Sequence, residues 1–277
     1  MRSTLRSKQL VSELLWTKQS VLAALTYRDT AALLRLHVVD SDAVRSDERV
    51  AAIVAEAQRR RVTVLHARSR QQLANMLPRG SPNDRVPQNV LLECLPRQST
   101  PLWLPEHVAA ILARHRAPSP ALAVFLSGVT DPHNVASVAR AAVFFGCSDV
   151  LLSEHGNAPL SEVVSVASAG ASEAVHFHAI HPRDLVTLPN VRVWAAVVPD
   201  SSARAVRVRD LRSIVASAPR DTLNVLAFGS EGKGLGPRFV DSEGVTPFFI
   251  PGEPASPLLD SLNVGVSVAV TLSHVRQ

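Results

Sequence analysis

The chain has 277 residues, of which 46% are apolar, enough for two domains or one large one with a sizeable core. No run approaches the roughly 18–20 apolar residues of a membrane span, so the expectation is a soluble protein with no membrane partner. The net charge of +5 is uneven: 18 Lys and Arg face 10 Asp and Glu in residues 1–120, whereas 11 face 14 in residues 121–277. A polyanionic partner therefore belongs with the first part. The positive charge is nearly all arginine, with lysine only at Lys8, Lys18 and Lys233. Arginine suits bidentate phosphate contacts, and a GC-rich genome accounts for the bias equally well. Cys94 and Cys147 form no C-x-x-C, which points to a reducing compartment, no disulfide framework and no metal site.

In chain order, the N-terminal MRSTLRSKQLVSE is basic and hydroxyl-rich with no acid before Glu13, a composition that fits a short organellar transit segment over 1–11. LLRLHVV (33–39), VTVLHA (62–67) and NVLLECL (89–95) read as strands. Between the first two, Val50, Ile53, Val54 and Ala57 recur at helical spacing. Ser69 stands where a helix cap belongs, before RQQLANML, and GSPNDRVPQ reads as a loop. These elements predict a small α/β domain over 12–98. Five prolines between Pro96 and Pro120, together with the change in charge balance, predict a linker over 99–120 holding one short helix, EHVAAILARH.

The second domain, 121–277, opens on ALAVFLSGV, too continuously apolar for a one-sided sheet and so a central parallel strand. A helix from Asn134 to Gly146 follows. Further strands are expected at 149–154, 175–180, 191–198, 223–229 and 246–251, with a final helix in LNVGVSVAVTLSHV. Strand–helix alternation with these buried runs argues for a doubly wound parallel sheet.

Four of the twelve glycines fall in FGSEGKGLG, residues 228–236. A P-loop is excluded, because Gly229 and Gly232 are too close and Lys233 is followed by glycine rather than a hydroxyl residue. The dinucleotide fingerprint fails too, since the spacing is G-x-G-x-G and it follows the fifth strand of the domain. A nucleotide oxidoreductase is therefore disfavoured. What remains is a glycine-rich loop at the carboxyl end of a buried strand, the edge where open α/β sheets bind ligands. A tight turn with no ligand is the alternative. Two other segments bear on it. Arg140 lies among Val138, Ala139, Ala141 and Ala142, where it needs a partner or access to solvent. Ser261 and Asn263 stand at the start of the last helix, after IPGEPASPLL, where free N–H groups face outward.

Together the three segments resemble the SpoU/TrmH family of the SPOUT methyltransferase superfamily. Asn134 and, six residues on, Arg140 match its first motif. GSEGKG, with Glu231 in the acidic place, matches its second. IP followed by a loop and SLNVGV matches its third, and VASAGASEAVHF is similar to a segment between the first two. The likeness covers nearly all of 121–277. Residues 12–98 are similar to the family's small substrate-binding domain. Ala136 stands where the family usually has glycine, and Asn89 replaces another common glycine. The long third-motif loop resembles the mitochondrial rRNA branch.

The resemblance implies a trefoil-knotted parallel-sheet domain that works as a dimer, with itself or with a related methyltransferase. It implies methyl transfer from S-adenosylmethionine to a ribose 2′-hydroxyl of RNA, here a guanosine of mitochondrial large-subunit rRNA or of the pre-ribosomal large subunit. Phe228, Gly229, Gly232, Gly234, Ile250, Gly252, Leu262 and Val264 would line the donor. Arg140 is the implied acid–base residue. A free guanidinium stays protonated to about pH 12, so the expected role is contact with the RNA phosphate and stabilisation of alkoxide character at the ribose oxygen. Asn134, Glu231, Ser261 and Asn263 would position Arg140 and the ribose. Arg59, Arg60, Arg61, Arg68 and Arg70 are candidate RNA contacts, with a solvated helix end as the alternative for 59–61. The competing class is a non-enzymatic assembly factor that uses the same fold to hold pre-rRNA.

Overall fold

The computed structural model describes residues 12–78, 86–102, 104–115, 120–198, 204–230, 232–252 and 261–276. The expected transit-like segment and most of the 80–88 loop lie outside them. The chain divides into two compact units, Met1–Arg97 with Leu160–Glu173, and Gln98–Pro159 with Ala174–Gln277.

The first unit contains β1 (Glu13–Leu15), α1 (Lys18–Tyr27), β2 (Leu33–Val39), α2 (Asp42–Arg45), α3 (Glu48–Arg59), β3 (Thr63–Ala67), α4 (Arg70–Ala74) and β4 (Val90–Cys94). Its sheet has the order β1-β4-β2-β3, antiparallel except for the parallel pair β2 and β3. The three expected strands and the 50–57 helix are present. Asp47 starts α3 by accepting from the Arg49 and Val50 amides (3.1 and 3.2 Å), and α3 turns Val50, Ile53 and Ala57 into the core. Ser69 caps α4 by accepting from the Gln72 amide at 3.3 Å. The sequence reading missed β1 and α1. Thr17 caps α1 by accepting from the Ser20 amide at 3.2 Å, and Val21, Ala24 and Leu25 form its buried stripe.

A buried charge cluster closes this unit. Arg28 forks onto Glu173, with Nε to Oε2 at 2.8 Å and Nη2 to Oε1 at 2.9 Å. The same guanidinium lies 2.6 Å from Glu13 Oε1 and donates to Leu95 O (2.7 Å) and to Cys94 Sγ (3.1 Å). Burial raises the Glu173 carboxyl, but the Arg28 bonds outweigh it and hold Glu173 below its ordinary value. Burial wins at Glu13, which is raised, and pushes the Cys94 thiol up to about 12.

The second unit is built on an eight-stranded sheet, parallel throughout. Its elements begin with β5 (Thr100–Pro101), α5 (Pro105–Arg114), β6 (Ala121–Ser127), α6 (Pro132–Phe144) and β7 (Asp149–Ser153). The chain then returns to the first unit with α7 (Glu162–Ala167), which packs against β1 and α1. It resumes with β8 (His176–Ile180), α8 (Pro182–Leu185), β9 (Val191–Ala196), β10 (Val206–Arg207), α9 (Leu211–Ala216), β11 (Leu223–Gly229), α10 (Pro237–Val240), β12 (Val245–Phe249) and α11 (Val264–Arg276). The strand order is β10-β12-β9-β11-β6-β7-β8-β5. In β6, Ala121, Ala123 and Phe125 join the core that holds Ile111 of α5 and Leu185 of α8. The alternate residues Leu122, Val124 and Leu126 are buried as well, as the continuous apolar run predicts.

The stretch read as a linker is part of this core. Leu102, Val108 and Ile111 are buried, and β5 pairs with β8. Asp149 holds the edge: it pairs with Arg114, lies 2.9 Å from His178 Nε2, and accepts from Ser148 Oγ at 2.7 Å. Burial raises its carboxyl, but the nearby His115 ring (3.5 Å) and the bonds from His178, Ser148 and Arg114 prevail and hold it well below the carboxylate range.

Replacing Arg28 with Met strips Glu13 of its buried partner and leaves Glu173 with Arg97 alone, at 3.8 Å, a change expected to cost about 3–5 kcal/mol. Both carboxyls then take raised values, so the folded state binds protons more tightly than the unfolded chain. The deficit relative to wild type therefore shrinks as pH falls from 7 to about 5. Urea unfolding at the two pH values measures both effects.

Candidate functional site

Because every strand of the second unit runs the same way, the loops that follow β6, β7, β11 and β12 emerge at one rim. The β6–β11 ladder ends on Gly229 opposite Ser127. The two loops leave side by side, and a Cβ built on Gly128 would stand 3.7 Å from Ser230.

The loop after β11 closes on itself. The Gly234 amide donates to Ser230 O at 2.8 Å, and a Cβ at Gly229 would run into the backbone of Gly234 and Leu235. Gly234 has φ +58°. These two glycines are demanded by the turn itself. At Gly232, Gly236 and, after β12, Gly252, as at Gly234, nothing among the described residues lies within 4 Å of a Cβ built there, so lack of room does not require glycine at these exposed positions. Glu231 lies outside the described residues.

The expected cap at Asn134 is a correction. Helix α6 starts earlier, at Pro132, and Asp131 caps it by accepting from the His133 amide at 2.8 Å. Asn134 sits in the first turn, where its Oδ1 accepts from Asn263 Nδ2 at 2.8 Å. Asn263 in turn accepts at Oδ1 from the Gly265 amide (2.9 Å), opening α11 at Val264 rather than Leu262. One side chain thus starts the last helix and grips the first-motif helix. The two helices run parallel: a Cβ on Gly265 would collide with Ser137, and at the far end Arg276 Nη2 donates to Gly146 O at 3.1 Å. Ser261 and Leu262 are exposed just ahead of α11.

Not every expected donor contact points to the rim. Phe228 is buried, with its ring edge-on to Phe248 at 6.0 Å, and the Val264 side chain is buried too. Only their backbone could meet a ligand. Ile250 is half-buried at the end of β12. Arg140 is exposed and makes no ion pair among the described residues. Six positions after Asn134, it lies about 9 Å along α6 and about 120° around it. It shares the outward stripe with Phe144, one turn on and 81% exposed.

The candidate RNA arginines fall into two groups at opposite ends of β3, on the order of 20 Å apart. Arg59 is paired with Glu56 (2.7 Å), and Arg60 turns inward to the Arg28 carbonyl. Arg61 ends α3 with φ +57° and is exposed. Arg68 and Arg70 are exposed at α4, where Arg70 Nε donates to Asn89 Oδ1 at 3.1 Å. Among the described residues no group of His, Cys, Asp and Glu could hold a metal, and no helix is long and apolar enough to cross a membrane.

Residues 121–273 match the model of the SpoU rRNA Methylase family. The chain belongs to that family. It is 32% identical over 161 residues to the mitochondrial rRNA methyltransferase 1 of Schizosaccharomyces pombe, covering 55% of this chain and 50% of that protein. It is 29% identical over 236 residues to the 23S rRNA (guanosine-2′-O-)-methyltransferase of Pseudomonas putida, covering 84% and 85%. It thus spans only half the length of the yeast relative. An AdoMet-bound rRNA methyltransferase from Sinorhizobium meliloti superposes with a TM-score of 0.67 at 20% identity, over 96% of this chain and 87% of that one. The SpoU match takes in β6, the rim loops and nearly all of α11, the elements that carry Asn134, the glycines and Asn263.

The glycines separate by substitution. Gly229→Ala is expected to cost about 1–3 kcal/mol through overpacking, read as a lowered thermal midpoint. Gly232→Ala leaves that midpoint where it is.

Proposed function

We propose that this chain methylates the 2′-hydroxyl of a ribose in large-subunit rRNA, a guanosine by analogy with the relatives' names, using S-adenosylmethionine. The observation that carries the reading is the joining of the family's first and third motifs by the Asn134–Asn263 bond, on the same helix pair that flanks the open glycine rim. Gly232, Gly252 and the backbone at Phe228, Gly229, Gly234, Ile250, Leu262 and Val264 would hold the donor, with Glu231 beside them.

S-adenosylmethionine supplies a methyl carbon already activated by its positive sulfur. With the donor and RNA bound, the ribose 2′-oxygen would bond to that carbon as the C–S bond gives its electrons to sulfur, and the hydroxyl proton would pass to solvent water. The chain's part is to align oxygen, carbon and sulfur and to ease the loss of the proton. Asn134 and Asn263 fix the geometry between α6 and α11, and Ser261 and Glu231 are assigned to the ribose by their places in the family motifs. Arg140 meets the RNA phosphate and the developing charge on the ribose oxygen.

The outward stripe of Arg140 and Phe144, with Val143 and with Leu262 and Val266 at 49% and 47% exposure, supports a dimer through α6 and α11. That arrangement would carry Arg140 towards a second copy. The trefoil threading of the second unit belongs to this proposal, as does placement in mitochondria, which the yeast relative's name supports. Arg61, Arg68 and Arg70 are proposed RNA contacts in the first unit, whereas Arg59 and Arg60 serve the end of α3.

The test is to map 2′-O-methyl sites in rRNA from cells lacking the protein and to restore the missing mark with purified protein. Arg140→Ala should lose at least about 100-fold in kcat, a loss of the size seen when one stabilising donor is removed, with calorimetric AdoMet affinity unchanged. Near-normal turnover would remove Arg140 from the mechanism. Wild-type protein that binds rRNA but not AdoMet would establish the assembly-factor reading instead. Light scattering of the same sample should give the dimer mass.

Neutralising Arg61, Arg68 and Arg70 should weaken RNA binding and flatten its salt dependence by about 0.7–0.9 per lost phosphate contact. Neutralising Arg59 should change neither; equal slopes for all variants across a salt series would reject the assignment.

A further inference from the structure

Beyond the motif residues, one side chain ties the rim together. Asn157 lies in the loop after β7, outside any helix or strand. Its Oδ1 accepts from the Val129 amide at 2.8 Å. Its Nδ2 donates to Leu126 O (3.2 Å), Ser153 O (3.0 Å) and Ser153 Oγ (2.8 Å). The orientation of the amide is unambiguous, because the Val129 N–H can only donate while the Leu126 and Ser153 carbonyls can only accept. Ser153 Oγ spends its own hydrogen on His155 O at 2.9 Å and so receives from Asn157. The Ala158 amide adds a return bond to Val129 O at 2.8 Å, and a Cβ on Gly156 would touch Gly128 Cα at 3.6 Å.

The bonds to the Val129 amide and carbonyl end on the loop joining β6 to α6, while those to Leu126 and Ser153 anchor Asn157 to the ends of β6 and β7. Two residues after Val129, Asp131 caps α6, and three residues later Asn134 holds Asn263. The height of that loop therefore sets where α6 begins. No other residue type matches the set: aspartate keeps the bond to Val129 but turns a second oxygen against two carbonyls, and alanine removes all four contacts.

We propose that Asn157 is a positioning residue for methyl transfer. It touches neither donor nor RNA, and it fixes the β6–α6 loop so that α6, held to α11 through Asn134, presents Arg140 to the ribose in register. The claim rests on the proposed function, and its consequence is kinetic. The donor cradle is built from other loops, so loss of Asn157 should lower kcat and spare AdoMet affinity. Misplacement by an ångström costs on the order of 100-fold.

The experiment compares wild type, Asn157→Ala and Asn157→Asp on large-subunit rRNA from cells lacking the protein. Turnover is counted per AdoMet-binding site, so misfolded protein does not enter. The expectation is a fall in kcat of about 10- to 100-fold for alanine, with KM for AdoMet and for RNA within about threefold. Amide hydrogen exchange at 129–134 should accelerate at the same time. If the alanine variant does not fold, aspartate, which retains the Val129 bond, decides. Normal turnover per site with unchanged exchange at Val129 overturns the proposal. Wild-type protein without methylation activity would defeat the functional reading; exchange at 129–134 alone would then judge Asn157, and retained protection in both variants would overturn its role.

Discussion

The second unit depends on one pairing, the parallel ladder between β6 and β11. Seven residues of each strand are in register, from Leu223 opposite Ala121 to Gly229 opposite Ser127, although they are about a hundred residues apart in sequence. Buried Asn224 pins the base of this ladder. Its Oδ1 accepts from Trp194 Nε1 at 3.2 Å and its Nδ2 donates to Ala121 O at 3.4 Å, so one amide fixes β9, β11 and β6 together. A slip of one residue would invert every side chain and leave that amide unpaired in the core. With the register set, the glycine loop and the first-motif loop have to leave the sheet as neighbours. Everything at the rim follows from that.

The first unit solves a different problem. Its four-stranded sheet is small, and α7 with the turn through Glu173 supplies part of its cover, although those residues come later in the chain. Glu173 brings a charge into a dry place, and the fork from Arg28 compensates for it. A buried pair of this kind adds little net stability compared with an apolar core, but it penalises every arrangement in which one partner is missing. The pairing therefore selects where the 160–173 segment docks. Gly170 permits the approach, since a Cβ there would stand 2.7 Å from Ala23 Cβ and Gln19 O.

Much of this was legible in the sequence. The central strands announced themselves as apolar runs, α3 as a periodic stripe, and Ser69 as a cap. What escaped had physical reasons. The three residues of β1 are too few to show alternation. The prolines between 96 and 120 hid a two-residue strand, whereas the helix read in EHVAAILARH is there and begins one residue earlier, at Pro105, a position where proline is favoured. Asn134 looked like a cap because asparagine usually is one, yet Asp131 took that place. The glycine loop could not be sorted by inspection, because Gly229 and Gly234 answer to the turn while nothing crowds Gly232, and the letters are identical. Asn157 left no signal at all. A single asparagine in a loop reads as turn chemistry, and its four partner atoms belong to three residues, Leu126, Val129 and Ser153.

Arg140 shows where reading a motif stops and geometry begins. In the sequence it stands six residues from Asn134, and a shared motif invites the picture of adjacent groups. On a helix that spacing turns the two side chains to different faces. Asn134 looks inward along the seam with α11, and Arg140 looks outward beside Phe144. A cation in that position is solvated and inert until a second surface arrives. Two candidates are at hand, a phosphate of the RNA and a second copy docking on the exposed apolar stripe, and they are compatible, because a dimer would confine the arginine while leaving its charge for the nucleic acid. The division is chemically sensible. Under the proposed function the glycine rim would take up the donor without RNA present, whereas Arg140 would come into play only once the substrate, and the proposed partner face, are in place.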